Sequence, residues 1–257
     1  MYNTFSEDYD RFVNWDSRLA YEMPLIEKQI QFLQNQVNRH LDILDTACGT
    51  GMHAIQLAKV GHRVSAADLF PEMIAKSKHN ASTAGIQVNF KTAGLGEMSA
   101  VFGTDQFDLL LCLGNSLPHL TTEQDLIKSL QDFAAVLRPG GMLFIQNRNF
   151  DAVMQRQERW MEPQIFQAEG EEWIFQRFYD FLTNGLIRFN IVTLIHKLNS
   201  DWKSSVNSTI LRPQLSTELV YHLGQVGFKE IRTFGSMQEE DFSADSSGNL
   251  IITAIKP

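Results

Sequence analysis

The residues with the clearest potential for chemistry are two aspartates and two glycines in the first third of the chain. Asp45 ends a short apolar run, and Gly49 and Gly51 follow at a spacing that permits a tight turn with positive φ. A second apolar run, residues 64–67, ends in Asp68, about 20 residues after Gly49. Nucleotide-binding folds place at this distance the carboxylate that accepts hydrogen bonds from ribose hydroxyls. The pattern therefore predicts a strand, turn, helix, strand and acid that bind an adenosine-type ligand.

The glycine spacing by itself fits two classes of ligand. Gly49, Gly51 and Ala54 also satisfy the pattern of dinucleotide-binding folds, in which a terminal acid is present too. An NAD-dependent oxidoreductase is therefore one candidate. Two features are unexpected in that class: the turn follows a helical leader over residues 1–40, and the chain ends in a predicted hairpin.

Composition narrows the choice of partner. The chain has 257 residues, of which 44% are hydrophobic and 20% charged, so it can bury a full core as one domain with an insertion. The net charge of −8 and the scattered Lys and Arg residues argue against a nucleic-acid partner. Neither a signal peptide nor a membrane span is recognisable. The two cysteines, Cys48 and Cys112, fall at predicted strand ends, which favours free thiols and a reducing cytoplasm.

Predicted elements must bring these residues together. Apolar residues at three-to-four spacing between Tyr9 and Leu33 predict one or two helices, with Pro24 at a break or a start. The apolar run 107–113 predicts a parallel strand buried on both faces. A helix that begins at Thr121 or Thr122 should end at Leu137, before a strand over 142–146.

Three polar side chains follow the central strands, where open α/β sheets bind ligands. Arg148 could grip a carboxylate through its two-pronged guanidinium, or it could pair with Asp151 or a neighbouring acid. Asn115 offers a donor and an acceptor to an amine, or it could close its own loop. His119 could orient a substrate or bond the backbone.

The region after residue 154 has a different pattern of apolar and polar residues. Residues 172–182 and 186–198 alternate apolar and polar side chains around Asn184-Gly185, which predicts a hairpin, and residues 202–211 could add a third strand. We expect an antiparallel insertion over the cleft. Ser216 is then predicted to cap a last helix, before two closing strands over 228–234 and 250–255.

The run Asp45-Thr-Ala-Cys-Gly-Thr-Gly51 resembles the first motif of class I S-adenosylmethionine (AdoMet) methyltransferases, D-x-x-C-G-T-G, with Ala47 where the usual pattern has its first glycine. The junction Leu137-Arg-Pro-Gly-Gly141 is similar to the corresponding junction in that family. The resemblance implies a Rossmann-like fold and a nearby N-terminal segment that closes over AdoMet, with Arg18 and Tyr21 as candidates.

Two further stretches resemble the glycine and sarcosine N-methyltransferases. Residues 112–120 read C-L-G-N-S-L-P-H-L against the family's C-L-G-N-S-F-A-H-L, and residues 147–151 read N-R-N-F-D against H-R-N-Y-D. This resemblance implies that Asn115 and Arg148 hold an amino acid substrate, with Arg148 on its carboxylate. The family's substrate tyrosines have no evident counterparts in residues 155–212.

Together these patterns predict an α/β protein with a Rossmann-like, mostly parallel seven-stranded sheet, helices on both faces, an antiparallel closing strand and a small antiparallel β insertion. The predicted units are a helical lid (1–40), the AdoMet-binding domain (41–154 and 213–257) and the insertion (155–212). The predicted catalytic or substrate-binding residues are Asn115, Arg148, His119 and Tyr21. The predicted cofactor-binding residues are Asp45, Ala47, Cys48, Gly49, Gly51, Asp68, Leu69, Gly94, Leu95, Leu113 and Arg18.

Within this set the resemblance implies specific roles. The turn from Ala47 to Gly51 would hold the methionine portion of AdoMet, Asp68 the ribose, and Gly94 with Leu95 the adenine. The backbone near Leu113 would hold the ligand's amino group, and Asp45 would complement its charge. No metal ion is expected, and the oligomeric state stays open.

The predicted activity is methyl transfer from AdoMet to a small amine that bears a carboxylate, which leaves S-adenosylhomocysteine. No strong general base is apparent, which favours an amine over an alcohol. Small-molecule O- or C-methylation, a macromolecular substrate, and AdoMet binding without catalysis remain alternatives to this activity.

Overall fold

The computed structural model describes residues 10–168, 170–197 and 200–257. The predicted start of the first helix at Tyr9 lies outside this part of the chain. None of the described helices is long and apolar enough to cross a bilayer.

In the part of the chain that the structure describes, eleven strands form two separate sheets. The strands are β1 (Asp42–Thr46), β2 (Arg63–Asp68), β3 (Asn89–Thr92), β4 (Phe107–Cys112), β5 (Leu137–Arg148), β6 (Gln164–Ala168), β7 (Glu171–Phe181), β8 (Ile187–Lys197), β9 (Lys203–Leu211), β10 (Lys229–Phe234) and β11 (Asn249–Ile255). The larger sheet has the order β10-β11-β5-β4-β1-β2-β3, and the smaller has the order β6-β7-β8-β9. In the larger sheet β11 runs antiparallel to both of its neighbours, so the predicted fold class is confirmed.

Among the described residues, seven α-helices with both ends defined accompany these strands, and most of them cover the larger sheet. They are α1 (Trp15–Val37), α2 (Met52–Lys59), α3 (Pro71–Thr83), α4 (Met98–Phe102), α5 (Glu123–Val136), α6 (Phe150–Arg156) and α7 (Ser216–Gln225). Core residues of α1, α2 and α3 share one hydrophobic cluster, and those of α4, α5 and α7 share another. Residues 109–112 of β4 alternate between the two clusters, which is why this part of the strand is apolar on both faces.

The first helix differs from its prediction at Pro24. This residue lies inside α1, which continues without a break to Val37. A proline removes the hydrogen bond that its own nitrogen would donate and crowds the carbonyl four residues earlier. The helix continues nevertheless, and the apolar side of α1 packs on the sheet. Burial of Leu25, Ile26 and Ile30 supplies that packing.

Two other boundaries also differ from prediction. Strand β5 begins at Leu137, earlier than the predicted strand over 142–146, because it pairs with both β4 and β11. Ser216 is the first residue of α7 rather than its cap. Its amide donates to Asp151 Oδ2 (2.9 Å), so a side chain distant in sequence supplies the capping oxygen.

The insertion forms the smaller sheet, with one more strand than the sequence indicated. The predicted hairpin is present, with Phe181 opposite Ile187, and β6 is the additional strand. Where β9 ends, the Arg212 amide donates to the carbonyl of Pro118 (2.8 Å), in the loop after β4. Gln214 reaches the carbonyl of Leu117 in the same loop (2.9 Å). These contacts fix the insertion beside the carboxyl ends of the parallel strands.

A charged network lies at the opposite, amino-terminal ends of these strands. Asp108 accepts hydrogen bonds from Nη1 and Nη2 of Arg39 (2.7 and 2.8 Å) and from Nη1 of Arg138 (2.9 Å). Asp42 accepts hydrogen bonds from Arg63 and from the same Arg138. Burial alone would raise the pKa of Asp108, but hydrogen bonds from Arg39, the Asp42 amide and Arg138 hold it below its usual value.

Candidate functional site

Two cavities open at the carboxyl ends of the parallel strands. The edge cavity, of about 390 Å³, is lined by Ala47, Gly49, Asp68, Leu69, Phe70, Met73, Ala93, Gly94, Leu95, Glu97, Gly114, Ser116, His119, Leu120 and Thr209. The roofed cavity, of about 260 Å³, lies under the insertion and is lined by residues that include Arg18, Asn115, Asn147, Arg148, Arg177 and Tyr179. Gly114 and His119 line both, so the cavities meet there.

The turn after β1 forms one wall of the edge cavity. Ala47, Gly49 and Gly51 all have positive φ, of 55°, 57° and 81°. Ala47 therefore adopts the left-handed conformation that the usual glycine reaches at less cost. A Cβ on Gly51 would lie 2.8 Å from Ser77 Cβ, so the glycine is required by packing as well as by φ. Gly51 lines neither cavity and starts α2.

Asp68 lies at the end of β2, on the floor of the edge cavity. Its Oδ2 accepts the Gly49 amide and its Oδ1 accepts the Phe70 amide, both at 2.9 Å. Burial raises the pKa of this carboxyl, and the two backbone hydrogen bonds partly offset that rise. A carboxylate can accept about four hydrogen bonds, so the two amides fix its position and leave capacity for two ligand hydroxyls.

Asp45 lies beneath the cavities and lines neither of them. It is 2% exposed, and Oδ2 has no hydrogen-bond partner in the described ranges. Burial raises its pKa to about 7; the nearby Arg18 opposes this and Asp68 adds to it. A buried carboxyl with an unpaired oxygen is therefore poised to ionise when a cation binds nearby.

The far wall of the edge cavity comes from the loop after β3. Gly94 and Leu95 both line the cavity, and Leu69 faces them from the loop after β2 with 59% of its surface exposed. Glu97, which the sequence reasoning did not select, also lines it and accepts the Gly94 amide at 2.8 Å. Glu97 could have been selected from the sequence, because a carboxylate in this loop can accept a hydrogen bond from an exocyclic amine.

Hydrogen bonds tie the loop after β4 to the carboxyl end of β5. The Arg148 amide donates to Asn115 Oδ1 (3.0 Å), and the Gly114 amide donates to Gln146 Oε1 (2.9 Å). Asn115 has φ of 66°, a conformation that asparagine tolerates better than most residues. The oxygen of Asn115 thus joins its loop to the end of β5, and its NH₂ group remains for the roofed cavity.

Some residues of the stretch Asn147–Asp151 cap helices, and others line the roofed cavity. Asn149 caps α6 and donates to three carbonyls of the loop 243–247. Asp151 caps α7. Asn147 and Arg148, by contrast, line the roofed cavity.

These two cavity residues carry unsatisfied polar atoms. Asn147 is 1% exposed, and neither atom of its amide has a hydrogen-bond partner within the described ranges. Arg148 forms an ion pair with Glu158 (3.2 Å), whose side chain is 44% exposed, rather than with Asp151. Its Nε is buried without a partner among the described residues. Buried amide and guanidinium groups without partners are costly, which indicates that a ligand satisfies them.

The insertion contributes two residues that the sequence reasoning missed, Arg177 and Tyr179. Both lie on the face of β7 that also carries Trp173 and Phe175, and both line the roofed cavity. The guanidinium carbon of Arg177 is 5.1 Å from the ring centre of Phe12. The sequence contained an indication of Arg177, because a charged residue is rarely found on the apolar face of an alternating strand unless it has a specific role. Tyr179 shows that a tyrosine of the insertion does reach this cavity.

Helix α1 supplies Arg18 and Glu22 to the roofed cavity. Glu22 is 3% exposed and accepts hydrogen bonds from Arg18 (3.1 Å) and Gln146 (3.2 Å), with His53 at 2.7 Å. A Cβ on Gly114 would lie 3.0 Å from Nη2 of Arg18, so a glycine is needed there for the arginine to approach. Glu22 was not selected from the sequence.

The remaining predicted residues are spread around the site. His119 lines both cavities, and burial lowers its pKa to about 4, so its imidazole is neutral at pH 7. Leu113 and Cys48 are buried and line neither cavity. Tyr21 also lines neither, and its hydroxyl accepts the Met237 amide at 3.4 Å. The structure thus gathers most of the predicted set and leaves Tyr21, Cys48, Gly51, Asp45 and Leu113 outside the cavity walls.

Comparison with known proteins finds similarity to methyltransferases. Residues 43–141 match the family described as "Methyltransferase domain". The glycine/sarcosine N-methyltransferase of Halorhodospira halochloris is 29% identical over 94% of this chain and 83% of that protein. The enzyme of the same name from Aphanothece halophytica is 28% identical over 91% of this chain and 82% of that protein.

Solved structures share the fold. An S-adenosylmethionine-dependent methyltransferase from Clostridium acetobutylicum superimposes with a TM-score of 0.76 at 15% identity, over 99% of this chain and 98% of that one. An S-adenosylmethionine-bound amino pentose methyltransferase from Micromonospora echinaspora gives a TM-score of 0.71 at 16% identity, over 99% and 97% of the two chains.

Proposed function

We propose that this chain is an S-adenosylmethionine-dependent methyltransferase that methylates the nitrogen of a small amine bearing a carboxylate. The match of residues 43–141 to a methyltransferase domain and the fold shared with solved methyltransferases support the first part of the proposal. The observation that carries the proposal is the roofed cavity, where Asn147 and Arg148 leave buried polar atoms without described partners. A carboxylate would satisfy Arg148, and an amine would satisfy Asn147. The similarity to glycine/sarcosine N-methyltransferases supports the same class of acceptor.

The residues of the edge cavity fit AdoMet. Asp68 has free acceptor capacity for ribose hydroxyls, and Leu69 and Leu95 offer apolar contact to a flat base. Glu97 is available to an exocyclic amine. The unpaired oxygen of Asp45 suits a nearby ammonium. When bound, the sulfonium of AdoMet supplies an already activated methyl group.

The chain's own residues then position the acceptor rather than perform acid or base chemistry. Arg148 orients the carboxylate, and the amides of Asn115 and Asn147 orient the nitrogen, next to the junction at Gly114 and His119. His119 is neutral at pH 7, so it does not repel the sulfonium. An amine can lose its proton to solvent before it binds, and no buried general base is required.

Helix α1 and the insertion cover the cavities in this proposal. Arg18 and Glu22 of α1, together with Arg177 and Tyr179 of β7, exclude water from the roofed cavity. Exclusion of water strengthens the electrostatic contacts that hold the acceptor. Movement of either segment would change access to the cavity, as the movement of lids does in other enzymes.

The test is a thermal-shift screen of small carboxylated amines in the presence of S-adenosylhomocysteine, followed by a methyl-transfer assay of the hits. We expect glycine-like or sarcosine-like ligands to raise the melting temperature of the wild type and to be methylated. The same ligands should not stabilise Arg148→Ala. Equal stabilisation of both proteins would refute the carboxylate contact, and the absence of turnover with every bound amine would refute the enzymatic activity.

A further inference from the structure

The roofed cavity contains more positive charge than a single carboxylate can balance. Three arginines line it, Arg18, Arg148 and Arg177, whereas Glu22 is its one acidic lining residue in the described part of the chain. Glu22 lies within hydrogen-bond distance of Arg18 at 3.1 Å, so these two charges compensate each other. Arg148 and Arg177 remain on the substrate side.

Arg148 and Arg177 differ in whether an acidic side chain lies beside them. Arg148 has Glu158 at the rim, where the acid is partly hydrated and its charge is screened. Arg177 has no carboxylate within 4.0 Å in the ranges that the structure describes, and its Nε is buried without a partner there. Its guanidinium instead lies over the ring of Phe12.

An arginine in this state is expensive for the folded protein. Burial lowers the pKa of Arg177; the nearby Tyr179 opposes this shift, and the positive charge of Arg148 adds to it. The ring of Phe12 recovers only part of the lost hydration. A chain that keeps an arginine here, on the apolar face of β7, gains an anion-binding group close to the first one.

We propose that the methyl acceptor carries two anionic groups, one bound by Arg148 and the other by Arg177. The inference rests on the proposed function and sharpens it, because it replaces a simple amino acid by a dianionic amine. A guanidinium fork binds carboxylate and phosphate oxygens in the same bidentate way, so the second group is a carboxylate or a phosphate.

The size of the cavity suits such an acceptor. A volume of about 260 Å³ corresponds to roughly nine water molecules in the liquid, so it holds on the order of ten non-hydrogen atoms. An amino dicarboxylate or a short phosphorylated amine is of this size. The unpaired amide of Asn147 remains for the nitrogen that accepts the methyl group.

The test is calorimetric titration of the full-length chain saturated with S-adenosylhomocysteine. The monoanionic probes are glycine and sarcosine, and the dianionic probes are iminodiacetate, aspartate and O-phosphoethanolamine. Each is titrated into the wild type, Arg177→Gln and Arg177→Lys. Arg188→Gln is the matched control, since Arg188 lies exposed on the neighbouring strand β8 and lines neither cavity.

We expect at least one dianionic probe to bind about tenfold or more tightly than the monoanionic probes. Arg177→Gln should remove that preference, because the affinity for dianions falls by more than the affinity for monoanions, and Arg177→Lys should retain part of the preference. Arg188→Gln should change nothing. The class of the preferred probe, dicarboxylate or phosphorylated amine, identifies the second anionic group.

Two other outcomes are distinguishable. If monoanions bind as tightly as dianions, or if Arg177→Gln weakens both equally, the two arginines share one carboxylate; the dianion proposal is then wrong while the amine methyltransferase proposal stands. If S-adenosylhomocysteine binds but no amino acid or phosphorylated amine does, both proposals are wrong.

Discussion

The two ends of the same parallel strands treat charge in opposite ways. At the amino-terminal ends Asp42 and Asp108 are each held by two or more arginines. At the carboxyl ends Asp45 Oδ2, the Asn147 amide and Arg148 Nε are buried without partners in the described part of the chain.

This difference shows where the protein uses charge for folding and where it reserves polar groups for a ligand. Buried polar groups are nearly always hydrogen-bonded in folded proteins, so those that are not bonded concentrate at sites that something else completes. The carboxyl ends of an open α/β sheet are also where ligands bind. Substitutions at the two ends should therefore separate activity from stability.

The largest effect is expected from Arg148→Ala compared with Arg138→Ala. Loss of a desolvated charge contact to the acceptor costs about 3–4 kcal/mol, so kcat/KM of Arg148→Ala should fall roughly 100-fold to 1000-fold. Arg138→Ala removes an arginine of similar exposure at the other end and should keep kcat/KM within about twofold. Steady-state kinetics with the best acceptor from the screen measure both. A similar loss in the two variants would contradict the division between the ends.

A smaller effect is expected from Asp68→Ala, compared with Asp42→Ala at the opposite end of the neighbouring strand. Each charge-assisted hydrogen bond to ribose is worth on the order of 1.5–3 kcal/mol, so S-adenosylhomocysteine should bind about 10-fold to 150-fold more weakly to Asp68→Ala. Asp42→Ala should leave this affinity unchanged and lower the melting temperature. Calorimetry and thermal melts measure the pair, and unchanged affinity in Asp68→Ala would remove this residue from the site.

Asp108→Asn should cost stability without loss of function. Its hydrogen bonds to Arg39 and Arg138 are charge-assisted, and we expect the free energy of unfolding to fall by about 2 kcal/mol at pH 7.

The pH dependence follows from the lowered pKa of Asp108. The stabilisation is present above the unfolded-state pKa of about 4 and is lost as pH falls through the lower folded-state value. Urea unfolding of the two proteins should therefore converge below about pH 4. A difference that stays constant down to pH 3 would show that the carboxylate charge is not the cause.

The smallest effect is a proton released when the nucleoside binds. The pKa of Asp45 is raised to about 7, so at pH 7 about half of the unliganded molecules carry this proton, and a bound ammonium favours the carboxylate. Calorimetry in buffers of different ionisation enthalpy should detect about half a proton released with S-adenosylhomocysteine at pH 7.

Asp45→Asn is the variant that tests the source of this proton. It should abolish the release, whereas Asp42→Asn, at the other end of β1, should not. Because the folded-state pKa of Asp45 is raised, its contribution to stability falls as pH rises from about 4, the unfolded-state pKa, to about 7, and stays at that lower level above pH 7. Unliganded Asp45→Asn should therefore also melt at a higher temperature than the wild type at pH 8. Release that persists in Asp45→Asn would assign the proton to another group.

The sequence by itself determined the fold class, the cofactor and most of the edge cavity. Successive loops after parallel strands meet at one edge of the sheet, so short local motifs around Gly49, Asp68 and Gly94 sufficed to predict which side chains gather there. The same local logic placed Asn115 and Arg148 on the neighbouring cavity.

Only the tertiary structure decided which partners those side chains have. Arg177 and Tyr179 come from a second sheet, whose position depends on contacts such as Arg212 with Pro118 that no local pattern encodes. The cap of α7 comes from Asp151, and the oxygen of Asn115 is occupied by the amide of Arg148. Pairing between residues distant in sequence is set by packing, and packing decides whether an arginine is neutralised or left for a ligand.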